Sequence, residues 1–210
     1  MPPRIKRYDR RYFDKWYRDP RHRISSPAGL RRKVQLIVSL TEFVLERPIR
    51  TVLDVGCGEA RWQRVLTTFR PKAVYTGIDR SPYVVQRYGR HRNIRLGSFD
   101  QLEACGLDRP FDLVVCSDVL HYLPRRQLVR GLDTVAKLVG GVACLEAYTR
   151  ADEIEGDRQG FHRRTASAYC RIFRDAGLVP CGMQCYVHRE RAREMVALEV
   201  FPAGMSGRVG

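Results

Sequence analysis

The chain has 210 residues, 44% of them apolar and 29% charged, and no apolar run approaches the roughly 18 residues needed to cross a bilayer. This composition excludes a disordered tail and a fibrous repeat and suits one globular domain of good size or two very small ones. Thirty-eight Lys and Arg against 23 Asp and Glu leave a net charge of +15, concentrated in residues 1–33, where twelve Lys and Arg face three Asp.

The first segment, 1–28, is a basic aromatic arm. Its opening Met-Pro-Pro-Arg-Ile-Lys-Arg-Tyr has charge but no following apolar stretch, so a secretory signal is not expected and the location expected is cytoplasmic, with no membrane partner. Tyr8, Tyr12, Phe13, Trp16 and Tyr17 follow at spacings that share one helical face. Segment 29–47 carries Val34, Leu36, Ile37, Leu40, Phe43, Val44 and Leu45 at helical spacing, with Pro48 just past its end. Thr51-Val52-Leu53-Asp54-Val55 reads as a buried strand running into glycines. Helices are then expected over 59–70, 81–90, 125–139 and 165–177, and strands over 73–79, 93–97, 111–117, 141–148, 180–188 and 194–201.

Strands alternating with helices predict an α/β, Rossmann-like doubly wound sheet, mainly parallel and covered on both faces. The last two strand-like runs follow one another without a helix and predict an antiparallel C-terminal hairpin. The arm 1–28 stands outside this pattern as an N-terminal helical extension to a domain over 29–210. Seven cysteines, an odd number, disfavour a disulfide framework. Cys181, Cys185 and His188 lack the paired knuckles of a structural zinc site and fall in a segment that reads as a strand, so no metal is expected.

Open parallel sheets bind ligands at the carboxyl ends of their strands. The loop Asp54-Val55-Gly56-Cys57-Gly58-Glu59-Ala60 leaves the first strand there, and its glycines admit positive φ and leave no side chain between backbone and ligand. Asp79 ends the second strand in Tyr75-Thr76-Gly77-Ile78-Asp79, where a carboxylate can accept both hydrogen bonds of a ribose diol. The dinucleotide fingerprint wants Gly or Ala three residues after the second glycine, and this chain has Arg61. An acid before the glycines faces a diphosphate badly but suits a cationic amino group. The set favours S-adenosylmethionine, with S-adenosylhomocysteine as its product.

Val52-Leu53-Asp54-Val55-Gly56-Cys57-Gly58 resembles motif I of the class I S-adenosylmethionine-dependent methyltransferases. Gly77-Ile78-Asp79-Arg80-Ser81 resembles their second motif, and Phe111 to Leu123, with Ser117, Asp118, His121 and Tyr122, resembles the fourth-strand motif of their small-molecule branch. The resemblance spans roughly residues 51–145. It implies a methyltransferase with Asp54, Gly56, Cys57, Gly58, Asp79, Arg80 and Ser117 around the cofactor. Two departures stand out. Ala60 replaces the usual third glycine, which asks for a negative φ. Gly97-Ser98-Phe99-Asp100 replaces the usual Gly-Asp at the adenine, so either Ser98 or Asp100 takes that contact, and Phe99 either stacks on the ring or belongs to the core.

The residues expected to face the methyl group leave the fourth and fifth strands: Ser117, Asp118, His121, Tyr122, Glu146 and Tyr148. His121 is the candidate general base, with packing or capping of the next helix as the plain reading; Asp118 and Tyr122 complete the catalytic set. Segment 149–165, which holds Asp152, Glu153, Glu155 and Asp157, either recruits an amine, pairs with the basic arm or is a solvated loop. The arm is expected to fold over the cofactor as a lid, with Tyr12, Trp16 and Tyr17 lining the pocket and an arm arginine on the methionine carboxylate. The expected acceptor is a small molecule methylated on oxygen or nitrogen. The alternative is a nucleic acid, with the arm's aromatics and arginines as an RNA-binding surface. The chain is expected to act as a monomer or homodimer.

Overall fold

The computed structural model describes residues 6–19, 21–22, 26–154 and 156–200. Seven strands form one sheet: β1 (Thr51–Val55), β2 (Val74–Asp79), β3 (Ile94–Leu96), β4 (Phe111–Cys116), β5 (Val139–Leu145), β6 (Leu178–Gly182) and β7 (Cys185–His188). Their order across the sheet is β3-β2-β1-β4-β5-β7-β6. The first five pair in parallel, and β7 runs antiparallel to both β5 and β6. The chain reverses direction across the sheet between β1 and β4, and there the carboxyl ends of the strands open a crevice.

Helices cover both faces: α1 (Arg10–Phe13), α2 (Pro27–Leu45), α3 (Arg61–Phe69), α4 (Pro82–Arg92), α5 (Arg125–Leu138), α6 (Ala166–Asp175) and α7 (Arg189–Ala192). Local sequence sets their starts. Ser26, Ser81 and Thr165 cap α2, α4 and α6 by accepting backbone N–H groups, and Pro27 and Pro82 occupy first-turn positions where no N–H is needed. One apolar layer packs α5 and α6 on the sheet through Leu128, Leu132, Val135, Ile172 and Phe173. The other packs α2 and α3 on it through Val34, Ile37, Val38, Trp62 and Leu66. At the foot of the sheet the buried Asp112 accepts two N–H bonds from Arg47, at 2.7 and 3.0 Å, and the backbone N–H of Arg50 at 2.6 Å. That ties the end of α2 to β4.

Two expectations fail at the ends of the chain. The hairpin lies within the stretch 180–188 read as one strand, which turns at Met183 and Gln184. Both are at positive φ, 51° and 58°, as a two-residue type I′ turn requires. Residues 194–200 form no strand: Met195 packs on the core, but Leu198 is 95% exposed. Position 201 lies outside the described residues. The arm is helical, though not with one aromatic face. After α1 it widens into a π-helical turn over Asp14–Arg18, which turns Phe13 and Tyr17 together, ring centroids 5.1 Å apart, and leaves Trp16 outside beside Lys15 and His22.

Candidate active site

The turn after β1 is folded back over the end of β2. Gly56 and Cys57 donate to the Ile78 carbonyl at 2.7 and 3.2 Å, and Gly58 donates to Asp79 Oδ2 at 2.7 Å. Gly56 and Gly58 have φ of +73° and +51°. A Cβ on Gly56 would stand 2.3 Å from Val119 Cγ2, so only glycine fits at this crossing. Ala60, expected at negative φ, has φ +50° and holds the left-handed position itself, at a cost of about 1–2 kcal/mol.

Three carboxylates surround the turn. Asp79 is buried, accepts the Ser81 N–H on its other oxygen at 2.8 Å, and has its pKa raised by burial against the pull of the Ser81 and Gly58 N–H groups and Arg80. Asp54 is buried beneath the turn and accepts the Tyr75 hydroxyl at 2.7 Å; burial pushes its pKa up to about 7, opposed by the Tyr75 hydrogen bond. Asp118, just past β4, sits at φ +61°, a strained conformation for a residue other than glycine. Its carboxylate reaches within 3.2 Å of His121 Nε2. His121 itself has no exposed surface, and among the described residues neither ring nitrogen makes an aligned hydrogen bond. The ring is wedged among Tyr122, Tyr148 and Phe161 at centroid distances of 4.2, 5.2 and 5.2 Å.

Two cavities meet at Gly56. One, of about 140 Å³, is bounded by Asp54, Cys57, Ser117, Asp118, Glu146 and Tyr148 from the sheet edge and by Tyr17, Lys33 and Arg61 from the helical side. The other, of about 420 Å³, is bounded by Arg80, Ser98, Phe99, Asp100, Gln101 and Val119. Ser98 Oγ donates to Asp100 Oδ1 at 2.8 Å, so the two candidate adenine contacts stand as one polar pair. The Phe99 ring packs into the core where a Cβ on Gly131 would stand 2.1 Å from it, and the residue also borders the cavity.

Glu146, at the end of β5, is the hub of the smaller cavity. It pairs with Lys33 at 2.5 Å and accepts hydrogen bonds from Ser117 and from Tyr148, the latter at 3.3 Å. Burial raises its pKa, but Lys33, Ser117 and Tyr148 outweigh it and hold the carboxyl below its ordinary value. Lys33 and Arg61 were not anticipated from sequence. The signal was present for Lys33: Gly29, Leu30 and Lys33 line the cavity from one side of α2, and a lysine on the inner side of an amphipathic helix needs a partner.

The arm covers this crevice. The Tyr8 carbonyl accepts from Ser81 Oγ at 2.5 Å, Phe13 is buried, and the Tyr17 hydroxyl stands 3.0 Å from where a Gly58 Cβ would lie. Tyr17 borders the smaller cavity, whereas Tyr12 and Trp16 line an outer hollow with Arg7, Arg11 and Lys15. Segment 149–165 is not merely solvated: Asp157 pairs with Lys6 of the arm at 2.7 Å, and its carbonyl accepts from the Tyr122 hydroxyl at 2.6 Å.

Comparison with known proteins agrees with this geometry. A family model described as a methyltransferase domain matches residues 8–180. Trans-aconitate 2-methyltransferase of Methylobacterium nodulans is 29% identical over 129 residues, 60% of this chain and 48% of that protein. This chain therefore matches about half the length of that relative. Among solved structures, the sugar N-methyltransferase KedS8 of Streptoalloteichus sp. superposes with a TM-score of 0.62 at 16% identity over 80% of this chain and 90% of that one. The plantazolicin methyltransferase BamL, solved with S-adenosylhomocysteine, superposes with a TM-score of 0.58 at 15% identity over 74% and 68%. Those identities speak to the fold alone. With the family model running from the arm through to β6, the chain belongs to the methyltransferase domain family, within the class I enzymes whose cofactor is S-adenosylmethionine.

Proposed function

We propose that the protein transfers a methyl group from S-adenosylmethionine to oxygen or nitrogen of a small-molecule acceptor. The observation that carries this reading is the meeting, at one sheet edge, of the Gly56–Gly58 cradle with Asp79 on one side and Asp118 with Glu146 on the other. When bound, the cofactor supplies an electrophilic methyl group on a sulfonium, which needs alignment and exclusion of water more than acid–base help.

Asp79 retains acceptor capacity on both oxygens for a ribose diol, and Asp54 suits the cationic amino group. The Ser98–Asp100 pair takes the adenine edge, beside Arg80. Lys33, paired with Glu146, and Arg61 border the smaller cavity and are the cations assigned to the cofactor carboxylate. Asp118 is the carboxylate exposed to the acceptor end, and the wholly covered His121 packs behind it as a positioning residue, its Nε2 3.2 Å from the carboxylate without an aligned hydrogen bond. Ser117 and Tyr148 orient Glu146, and Tyr122 holds the backbone of Asp157.

The arm acts as the lid. Tyr17 stands on Gly58 and the Tyr8 carbonyl holds Ser81, so the described part of the arm, residues 6–19, has to lift from the domain to admit ligands to the smaller cavity. A second reading rests on the outer face of the arm, where Arg7, Arg11, Lys15, Tyr12 and Trp16 outnumber Asp9 and Asp157 around a hollow that suits RNA. Calorimetric titration of the nuclease-treated protein with S-adenosylhomocysteine, with NAD as control, decides the first reading: micromolar binding is expected, and no binding overturns it. RNA binding in a salt series should be weak and steeply salt-dependent; tight binding at physiological salt promotes the second.

A further inference from the structure

Among the described residues of the arm, Lys6 is the one whose charge pairs with the loop 149–165. Its ammonium lies 2.7 Å from Asp157 Oδ2 and 3.5 Å from the Gln159 carbonyl, and its side chain is only 14% exposed. Three rings surround it: Tyr122, Tyr8 and Tyr12, with centroids at 3.8, 5.3 and 5.5 Å. All three fall within the roughly 6 Å at which a ring face attracts a cation. Tyr8 and Tyr12 meet edge to face at 4.9 Å, and the Tyr122 hydroxyl fixes the Asp157 backbone at 2.6 Å, so the walls support one another.

This cage adjoins the acceptor end of the crevice. Tyr122 follows His121, whose imidazole touches Asp118. Burial, and next to it the Asp118 charge, holds the Tyr122 hydroxyl well above its ordinary pKa, which keeps it a donor to Asp157. The cage is also divided. Tyr122 and Asp157 belong to the domain and stay when the arm lifts, while Tyr8, Tyr12 and Lys6 leave together. Among the carboxylates that face the cage tyrosines from the domain are Asp118 and Asp157, and the domain cation there is Arg80, 5.4 Å from the Tyr8 centroid.

We infer that Tyr8, Tyr12, Tyr122 and Asp157 form a subsite for the ammonium group of the acceptor, and that Lys6 is its tethered occupant when the arm is closed without acceptor. The substrate class is then an amine bound as its cation, which displaces Lys6 and draws Tyr8 and Tyr12 back over itself. This rests on the methyl-transfer reading for its purpose, but the subsite is measurable without turnover.

The test uses the full chain with Lys6→Ala, choline as probe and 3,3-dimethylbutanol as its uncharged counterpart, at fixed ionic strength, by calorimetry or NMR. Choline is expected to bind Lys6→Ala at least tenfold more tightly than the wild type, and at least tenfold more tightly than the alcohol. Lys6→Arg, which keeps a cation in the cage, should bind choline as weakly as the wild type, and Lys6→Ala with Tyr122→Leu should lose the gain. Equal choline binding by wild type and Lys6→Ala, or equal binding of choline and the alcohol, overturns the subsite. A parallel titration of both proteins with S-adenosylhomocysteine separates the two readings: product binding without choline binding removes the cage alone, and absent product binding removes the methyl-transfer reading.

Discussion

The Tyr75 hydroxyl donates to Asp54 Oδ2 at 2.7 Å across the β1–β2 pair, beneath the glycine turn. It is the hydrogen bond that steadies a carboxylate otherwise stripped of water, and it does not fully offset that burial, which leaves the Asp54 pKa at about 7. The folded state thus prefers the neutral acid, while the unfolded chain loses the proton near the ordinary carboxyl pKa of about 3.9. Stability from this group is fully present below that value, falls as pH rises, and levels off above about 7. The slope is at most about 1.4 kcal/mol per pH unit. Denaturant midpoints between pH 5 and 7.5 should show this decline in the wild type and lack it in Asp54→Asn. A cationic ligand group at Asp54 favours the carboxylate, so S-adenosylhomocysteine should bind more tightly as pH rises from 5 to 7 and release a proton near pH 6. Binding enthalpies in buffers of different ionisation heat measure that proton.

Asp79 joins the turn after β1 to the start of α4 by accepting from Gly58 and Ser81. Asp79→Ala should weaken S-adenosylhomocysteine binding by about 1.5–3 kcal/mol, the range for hydrogen bonds to a charged group. Asp79→Asn should fall between wild type and alanine, because its amide keeps one acceptor oxygen but turns an N–H₂ toward a backbone N–H. Calorimetric affinities of the three proteins check the order; unchanged affinity in Asp79→Ala removes Asp79 from the ribose.

The central sheet was legible in the sequence because β1, β4 and β5 are buried on both faces and read as short apolar runs ending in glycine, serine or an acid. Asp54, Gly56, Gly58 and Asp79 were legible because their spacing along two adjacent strands fixes their meeting. The hairpin turn was not, because Met183 and Gln184 take positive φ without the Gly, Asn or Asp that normally announces it. Segment 194–200 has the apolar content of a strand but pairs with neither edge strand, β3 or β6, and instead packs Met195 and Val200 on the core. The pairs Lys33–Glu146 and Lys6–Asp157 join residues far apart in the chain, which no local pattern reveals.

The covered imidazole of His121 separates stability from turnover. Its two nitrogens are buried without aligned partners, each a cost of about 1–3 kcal/mol where no partner relieves it. His121→Phe fills the same aromatic nest without those nitrogens and should hold or raise stability by about 1 kcal/mol. S-adenosylhomocysteine affinity should not change. Turnover with the best acceptor from a small-molecule screen should drop by about tenfold or more, below or at the low end of the 10²–10⁴ typical of acid–base groups. Full turnover in His121→Phe would reduce His121 to packing.

Gly56 and Val119 meet where the two cavities join, and the contact is steric. Gly56→Ala brings its Cβ to 2.3 Å from Val119 Cγ2 at a φ of +73°, and should cost about 2–4 kcal/mol from clash and strain together. Val119→Ala removes the opposing methyls. The double variant should therefore lose less stability than the two single changes added, keeping only about 1 kcal/mol of backbone strain plus the loss at Val119. Denaturation of the four proteins closes this cycle; strict additivity would mean the turn moves aside instead.

Ala60 offers the opposite experiment in the same turn. It is fully buried, donates its N–H to the Cys57 carbonyl at 2.9 Å, and begins α3 in the left-handed conformation, φ +50° and ψ +49°. Its Cβ meets the following carbonyl oxygen at a cost of about 1–2 kcal/mol that glycine does not bear, while glycine loses roughly 0.5–1 kcal/mol more entropy on folding. Ala60→Gly should therefore stabilise the protein by about 0.5–1 kcal/mol, an unusual sign for a glycine introduced at a buried helix start. Thermal and denaturant unfolding measure it directly. Destabilisation would show that the buried Ala60 methyl contributes more by packing than the left-handed backbone costs.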